Sequence, residues 1–287
     1  MTTTSLEQQS ERQRCDTGGA RSAYSIFLGA NLVLFLPLSL LWCCMPFIPT
    51  SMRSKPTAAT QQNNNHALKR GYPLLAVRFM MAYQHLTIWT MLLTTLYLSL
   101  SLLEEMGVAG LPRGVRCAAR QVLPAAGPIV AQFWTFVLTL GPWTLVDRRD
   151  FPKSEKKAME LVEKLFYRPT LSPACAFLAL MHLQHTWMPA LPFVEAFFFF
   201  DENHAACSPG VVGLAHHIGL AAAYLLSWLA WALFCWRARN SPPYPILRTV
   251  WLNGTWLLLY LGMAGLGMLG IVGYRNLLVS LLARRIY

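Results

Sequence analysis

The chain has 287 residues, of which 55% are hydrophobic and only 13% are charged. A soluble domain usually carries about a quarter charged residues, so this composition argues against a soluble enzyme and indicates a membrane protein. The formal net charge is +11, but the Lys and Arg lie mainly between apolar runs, where membrane topology and anionic lipids account for them. Nucleic acid is therefore not an expected partner, and no base-stacking or phosphate-binding motif is visible.

Six apolar segments follow one another along the chain, and each is long enough to cross a bilayer. The sequence therefore predicts an all-α polytopic membrane protein, a bundle of six transmembrane helices. Residues 1–23 are predicted to form a disordered polar tail, and residues 24–287 the membrane domain. The six spans are predicted at 24–47, 74–102, 124–146, 171–200, 211–236 and 246–274.

The first span follows a tail that lacks the apolar core and cleavage site of a secretory signal peptide, so we expect this span to act as an uncleaved insertion signal. Cys43 and Cys44 near its end are candidates for palmitoylation, although small apolar filler is the simpler interpretation. The seven scattered cysteines show no pairing pattern, and a disulfide framework is not expected. The Gln/Asn-rich segment "TQQNNN" that follows is expected to be a mobile loop.

The second span contains "YQHLTIWTMLLTTLY", in which three threonines share one helical face. Thr87, Thr90 and Thr94 follow an i, i+3, i+7 spacing. Polar side chains inside spans usually face the bundle interior and mark a functional pathway. The competing interpretation is that each threonine donates a hydrogen bond to the carbonyl four residues earlier in its own helix.

Between the third and fourth spans lies the longest charged segment, 147–169, in which we expect a short amphipathic helix at the membrane surface. The sixth span instead contains repeated small residues. We expect these glycines to allow close approach of neighbouring helix backbones; they are Gly262, Gly265, Gly267, Gly270 and Gly273.

The fourth span contains "MHLQHTWMPALPFVEAFFFF", which places several polar side chains in an apolar run. His182 and His185 are one turn apart and are expected to share a face. Pro189 and Pro192 remove backbone donors and are expected to distort the helix beyond them. Glu195 must be protonated or paired, because a lone charge in lipid is too costly.

A hydroxyl nucleophile needs a base within hydrogen-bond reach, and Thr87 with His185 supplies that pair if the second and fourth spans are neighbours. His182 or Glu195 could orient the imidazole, and Thr90 is a candidate for oxyanion support. Such a site, enclosed in hydrocarbon, suits a substrate with an acyl chain and a labile ester. The simpler alternative is that either histidine only donates a hydrogen bond to a neighbouring helix.

These segments resemble, in the same order, motifs of the androgen-induced protein family, which includes the androgen-dependent regulator of tissue factor pathway inhibitor. The segments are "HLTIWTMLLTTLY" at 85–97, "LMHLQHTWMPALPFVEA" at 180–196 and "PPYPIL" at 242–247. The resemblance implies a six-span intramembrane threonine hydrolase that cleaves fatty acid esters of hydroxy fatty acids. It implies Thr87 as the nucleophile and His185 as the catalytic histidine.

The resemblance also places Glu195 at the family's usual distance from the catalytic histidine. Thr90 and Thr94 stand where the family usually has Asn or Asp and then Gln, and Met181 stands where Asn is usual. An alternative ungapped alignment through "RFMM" places Met81 at the nucleophile position.

The leading prediction is thus an intramembrane lipid ester hydrolase of the endoplasmic reticulum or another endomembrane. It would act on an acyl ester among membrane lipids and need no metal or organic cofactor. The second hypothesis is a non-enzymatic lipid-binding, transport or scaffold protein of the same fold. The third is a metal-dependent lipid-modifying enzyme; its ligands would be His85, His182, His185 and Glu195.

Overall fold

The computed structural model describes residues 3–47, 58–108, 110–140, 179–199, 213–244 and 256–286. Helices make up these ranges, apart from short connections, and no strand occurs within them. The helices are α1 (Thr3–Cys44), α2 (Ala58–Lys69), α3 (Leu74–Tyr83), α4 (Leu86–Glu105), α5 (Arg113–Leu140), α6 (Met188–Phe199), α7 (Leu214–Arg239) and α8 (Trp256–Ile286). A 3-10 turn, Met45–Phe47, extends α1, and a π-helical turn, Leu183–Trp187, leads into α6.

Within the described ranges, four segments are long and apolar enough to cross a membrane, which supports a helical membrane protein. These candidate spans are Ser22–Phe47, Leu86–Glu105, Leu214–Arg239 and Leu258–Arg284. They match the predicted first, second, fifth and sixth spans. Only parts of the third and fourth lie in the described ranges, so a six-span bundle stays a prediction.

Two polar segments are helical where the sequence predicts disorder or mobility. The helix α1 begins at Thr3, within the predicted tail, and continues without interruption into the first span. The "TQQNNN" run lies inside α2, which docks on the end of α7. Arg70 donates to the Arg237 carbonyl at 2.6 Å, and His66 Nδ1 lies 3.3 Å from the Ala238 carbonyl oxygen. Tertiary contact thus stabilises α2, while the predicted amphipathic helix at 147–169 lies outside the described residues.

The predicted close packing of the sixth span is present at one position. A Cβ atom on Gly270 of α8 would overlap the Pro124 carbonyl of α5, so only glycine permits this approach. In contrast, a Cβ atom on Gly262, Gly265 or Gly273 would meet open space. The crossing of α5 and α8 therefore depends on one glycine of the series.

The predicted second span is divided at Gln84 and His85, the two residues between α3 and α4. His85 has an extended backbone, with φ −95° and ψ 133°, and α4 begins afresh at Leu86. Neither proline nor glycine is present at the break. Tertiary hydrogen bonds therefore have to stabilise the exposed backbone groups.

Candidate active site

Three indole side chains satisfy the carbonyl groups that the break leaves without helical partners. The Tyr83 carbonyl accepts the indole N–H groups of Trp89 at 2.8 Å and Trp231 at 2.9 Å. The Gln84 carbonyl accepts the indole N–H of Trp228 at 3.1 Å. Non-helical backbone at membrane depth is tolerated only where protein or water satisfies it, and here tryptophans of α4 and α7 do so.

The break also frees the Thr87 hydroxyl from its own helix. Farther along α4, Thr90 and Thr94 donate to the carbonyls four residues earlier, at 3.0 and 2.8 Å, as the competing interpretation predicts. The corresponding carbonyl for Thr87 belongs to Tyr83, which lies across the break and already accepts two indoles. The Thr87 hydroxyl instead lies 3.3 Å from His185 Nε2.

The imidazole of His185 has the tautomer that a general base requires. Its Nδ1 lies 3.1 Å from the Met181 carbonyl oxygen, which can only accept, so Nδ1 carries the proton of the neutral ring. The Nε2 lone pair therefore faces Thr87, and the hydroxyl donates to it. Thr87 is 7% exposed and His185 6% exposed, so the pair is shielded from solvent.

The π-helical turn follows from the proline that comes after it. Pro189 has no N–H to donate to the His185 carbonyl, and the preceding N–H, of Met188, bonds to the Leu183 carbonyl five residues earlier. The distortion therefore lies before Pro189, at the turn that contains His185, and not beyond the prolines as predicted. Single π turns within α-helices often occur at functional sites, and this one carries the candidate base.

Tyr244 is a neighbour of Thr87 that the functional prediction missed. Its hydroxyl accepts the Leu86 N–H at 3.0 Å and also interacts with the Thr87 side chain. Its ring lies edge-on to His85, with centroids 5.1 Å apart. Tyr244 lies outside the candidate spans, and burial raises its pKa, so the hydroxyl stays protonated at neutral pH. In the sequence this residue lies in "PPYPIL", one of the segments that carry the family resemblance, and no role was assigned to it.

Thr90 lies one helical turn from Thr87, but its proton is engaged. The hydroxyl donates to the Leu86 carbonyl, and Tyr224 supplies a second hydroxyl 3.5 Å away. Met81, the alternative nucleophile position, lies in α3 on the other side of the break, and its side chain is a thioether without a hydroxyl. Of the two alignments, only the one through Thr87 brings a hydroxyl to the imidazole.

The structure places His182 away from the Thr87–His185 pair. His182 is exposed, and its Nδ1 lies 3.3 Å from the Thr186 hydroxyl on the same helix. The predicted shared face of His182 and His185 is therefore absent, because the wider π turn that begins at Leu183 rotates the following residues. The Met181 carbonyl orients the imidazole, a role that the sequence analysis proposed for the side chain of His182 or Glu195.

Glu195 belongs to a second buried cluster. One carboxylate oxygen accepts the hydroxyls of Tyr24 and Tyr97, each at 2.5 Å, and lies 3.8 Å from a guanidinium nitrogen of Arg120. Arg120 also donates to the Tyr274 hydroxyl at 3.1 Å. Ten helical residues separate this carboxylate from the imidazole, a rise of roughly 15 Å. Glu195 thus joins α1, α4, α5 and α6 and does not orient the candidate base.

The four ligands of the metal hypothesis do not converge. Within the described ranges, no group of three or more His, Cys, Asp or Glu side chains is arranged to hold a metal ion. His85 instead contacts the Gln84 amide, with its Nε2 3.3 Å from the amide nitrogen, and the ring of Tyr244. This arrangement favours hydrogen-bond chemistry over the proposed four-ligand centre.

Thr87, His185 and Tyr244 therefore meet at the N-terminus of α4, with a hydroxyl, a base and a protonated phenol in contact. Comparison of the chain with protein-family models, curated proteins and solved structures found no match.

Proposed function

We propose that this protein is an intramembrane hydrolase of lipid esters, with Thr87 as the nucleophile and His185 as the general base. The observation that carries the proposal is the 3.3 Å contact between the Thr87 hydroxyl and His185 Nε2, with Nδ1 held by the Met181 carbonyl. An adjacent base of this kind is what a hydroxyl needs to become nucleophilic at neutral pH. The expected location is the endoplasmic reticulum or another endomembrane.

In the first half of the reaction, Thr87 Oγ1 attacks the ester carbonyl carbon while its proton moves to His185 Nε2. The tetrahedral intermediate then collapses, the bond to the leaving oxygen breaks, and the imidazolium returns the proton to that oxygen. The products are a free alcohol and an acyl group on Thr87. In the second half, His185 removes a proton from water, which attacks the acyl-threonine. The bond to Thr87 Oγ1 then breaks, the imidazolium returns the proton to Oγ1, and a carboxylic acid is released.

Two features support stabilisation of the negative charge on the intermediate. Thr87 is the second residue of α4, and a helix N-terminus carries a partial positive charge of about half an elementary charge. The Tyr244 hydroxyl keeps its proton and interacts with Thr87, so it can donate to the developing oxyanion. Thr90 is the weaker candidate, because its proton already goes to the Leu86 carbonyl.

The proposed substrates are fatty acid esters of hydroxy fatty acids. This substrate class is implied by the motif resemblance, and burial of the pair among apolar helices supports a substrate with acyl chains. Water is the only other reactant, so the chemistry requires no cofactor.

The test is hydrolysis of such an ester by protein purified in detergent. We expect Thr87→Ala and His185→Ala to lose turnover by at least about 10³-fold, a scale typical for loss of a nucleophile or its base. Thr87→Ser should retain part of the activity. Thr94→Ala is the matched control, since it removes a buried hydroxyl of the same helix that bonds only its own backbone.

Labelling with a fluorophosphonate probe separates the enzyme from a non-enzymatic lipid-binding protein of the same fold. The wild-type protein should form a covalent adduct on Thr87, and Thr87→Ala should not. Normal turnover in folded Thr87→Ala would reject the nucleophile assignment. Absence of both turnover and adduct in folded wild-type protein would reject the hydrolase itself.

A further inference from the structure

Arg239, the last residue of α7, is a buried guanidinium that lacks an acidic partner in the described part of the chain. It is 4% exposed. Its Nη1 donates to the Gln84 side-chain oxygen at 2.8 Å, whereas its Nε has no hydrogen-bond partner. The ion pairs found among the described residues all involve other arginines.

The other arginine found buried among the described residues has an acidic side chain close to it. Arg120 is 3% exposed and faces the Glu195 carboxylate and the Tyr274 hydroxyl. Among the described residues, Arg239 has beside it the neutral amide of Gln84 and the negative end of the α7 dipole, which offset part of the desolvation cost. A carboxylate would complete its coordination.

Arg239 adjoins the candidate active site through Gln84. The Gln84 amide contacts Arg239 with its oxygen, and its nitrogen lies 3.3 Å from His85 Nε2. The His85 ring in turn lies against Tyr244. Gln84 precedes Thr87 by three residues, so their Cα atoms are separated by at most about 11 Å. Gln84 and His85 thus link the guanidinium to the start of the helix that carries Thr87.

We propose that Arg239 binds the free carboxylate of the ester substrate, an inference that rests on the proposed function. A fatty acid ester of a hydroxy fatty acid carries its ester within the chain and a carboxylate at one end of the hydroxy acid. With Nη1 engaged by Gln84, the Nε and Nη2 groups form the remaining side of the guanidinium fork, which matches a carboxylate in two parallel hydrogen bonds. The ester would then lie at Thr87, with the acyl chain directed away from Arg239.

The kinetic test compares a free-acid ester of a hydroxy fatty acid with its methyl ester, which has no charge. We expect wild-type protein to prefer the free acid, and Arg239→Gln to lose about 10- to 100-fold in kcat/KM on the free acid only, the range for a hydrogen bond to a charged group. Arg239→Lys should retain part of the preference. Arg237→Gln is the matched control, because Arg237 is exposed on the same helix end.

A binding measurement separates failure of this inference from failure of the proposed hydrolysis. The probe is a non-hydrolysable ether analogue with a free carboxylate, compared with its methyl ester by thermal unfolding in detergent. The acid should raise the Tm of wild-type and Arg237→Gln protein more than the methyl ester does, and this difference should vanish in Arg239→Gln. That result would support the carboxylate site even if turnover were absent.

Equal stabilisation of wild-type protein by the acid and its methyl ester would overturn the inference, and this comparison needs no variant. An acid preference that persists in folded Arg239→Gln would also overturn it. If Arg239→Gln does not fold, Arg239→Lys replaces it. We then expect a reduced preference for the free acid over its methyl ester. An unchanged preference would contradict the role of the guanidinium fork.

Discussion

Trp231 of α7 donates its indole N–H to the Tyr83 carbonyl at 2.9 Å, and this bond helps to keep α3 and α4 apart. The same carbonyl would be the hydrogen-bond acceptor for the Thr87 hydroxyl in an uninterrupted helix. A side chain of one helix thereby controls the bonding of a hydroxyl on another. Whether the Thr87 hydroxyl is available as a nucleophile therefore depends on contacts between helices.

Removal of both indole donors to Tyr83 should impair catalysis more than either single removal. In Trp231→Phe, Trp89 still satisfies the carbonyl, and we expect a loss of about 0.5–1.5 kcal/mol in unfolding free energy with turnover nearly unchanged. The double variant Trp89→Phe/Trp231→Phe leaves the carbonyl free to accept from Thr87. Turnover should then fall by more than the product of the single effects, which a double-mutant cycle measures. Strictly additive effects would contradict competition for the carbonyl.

Tyr244→Phe should lower kcat with little change in KM. The substitution removes the hydroxyl that accepts the Leu86 N–H and interacts with Thr87, while the ring remains against His85. Loss of one oxyanion donor typically costs about 10²–10³-fold in kcat. Steady-state kinetics on the same ester gives the measurement, with Tyr224→Phe as the control. An effect confined to KM would assign Tyr244 to substrate binding.

Glu195 should matter for stability and not for the chemical step. In Glu195→Ala, Arg120 remains buried without its carboxylate, and removal of one partner of a buried pair typically costs about 3–5 kcal/mol. We expect a large fall in Tm in detergent, with normal kcat for the fraction that remains folded. Tyr97→Phe removes one hydrogen bond to the same carboxylate and should be milder. A loss of kcat in folded Glu195→Ala would instead show that the carboxylate takes part in catalysis.

Gly270→Ala should separate α8 from α5. The added methyl group would overlap the Pro124 carbonyl, and strain of this kind usually costs about 1–3 kcal/mol. Gly262→Ala is the matched control, because a Cβ there meets open space. Thermal unfolding of both variants side by side checks the difference. Equal Tm values would show that the helices do not touch at Gly270.

The helical membrane class and the meeting of Thr87 with His185 were accessible from the sequence, because polar groups in apolar runs are costly unless they converge. The break at Gln84 and His85 was not, since neither residue signals a helix end and two of the three indoles that stabilise it, Trp228 and Trp231, lie far along the chain on α7. The role of Glu195 depends on Arg120, a partner that helical spacing cannot reveal. Tyr244 could not be predicted either, because nothing in the spacing of the residues connects it with Thr87.

The orientation of the imidazole by the Met181 carbonyl has a consequence for control. The carbonyl belongs to the same helical segment as His185, whereas Thr87 lies on α4 behind a break that tryptophans of α4 and α7 stabilise. Each reacting group is thus ready before the two meet, and only the alignment of two helices completes the pair. A shift of one helix against the other by a few ångströms would therefore separate the Thr87 hydroxyl from His185 Nε2 and interrupt the proposed hydrolysis without changing either residue.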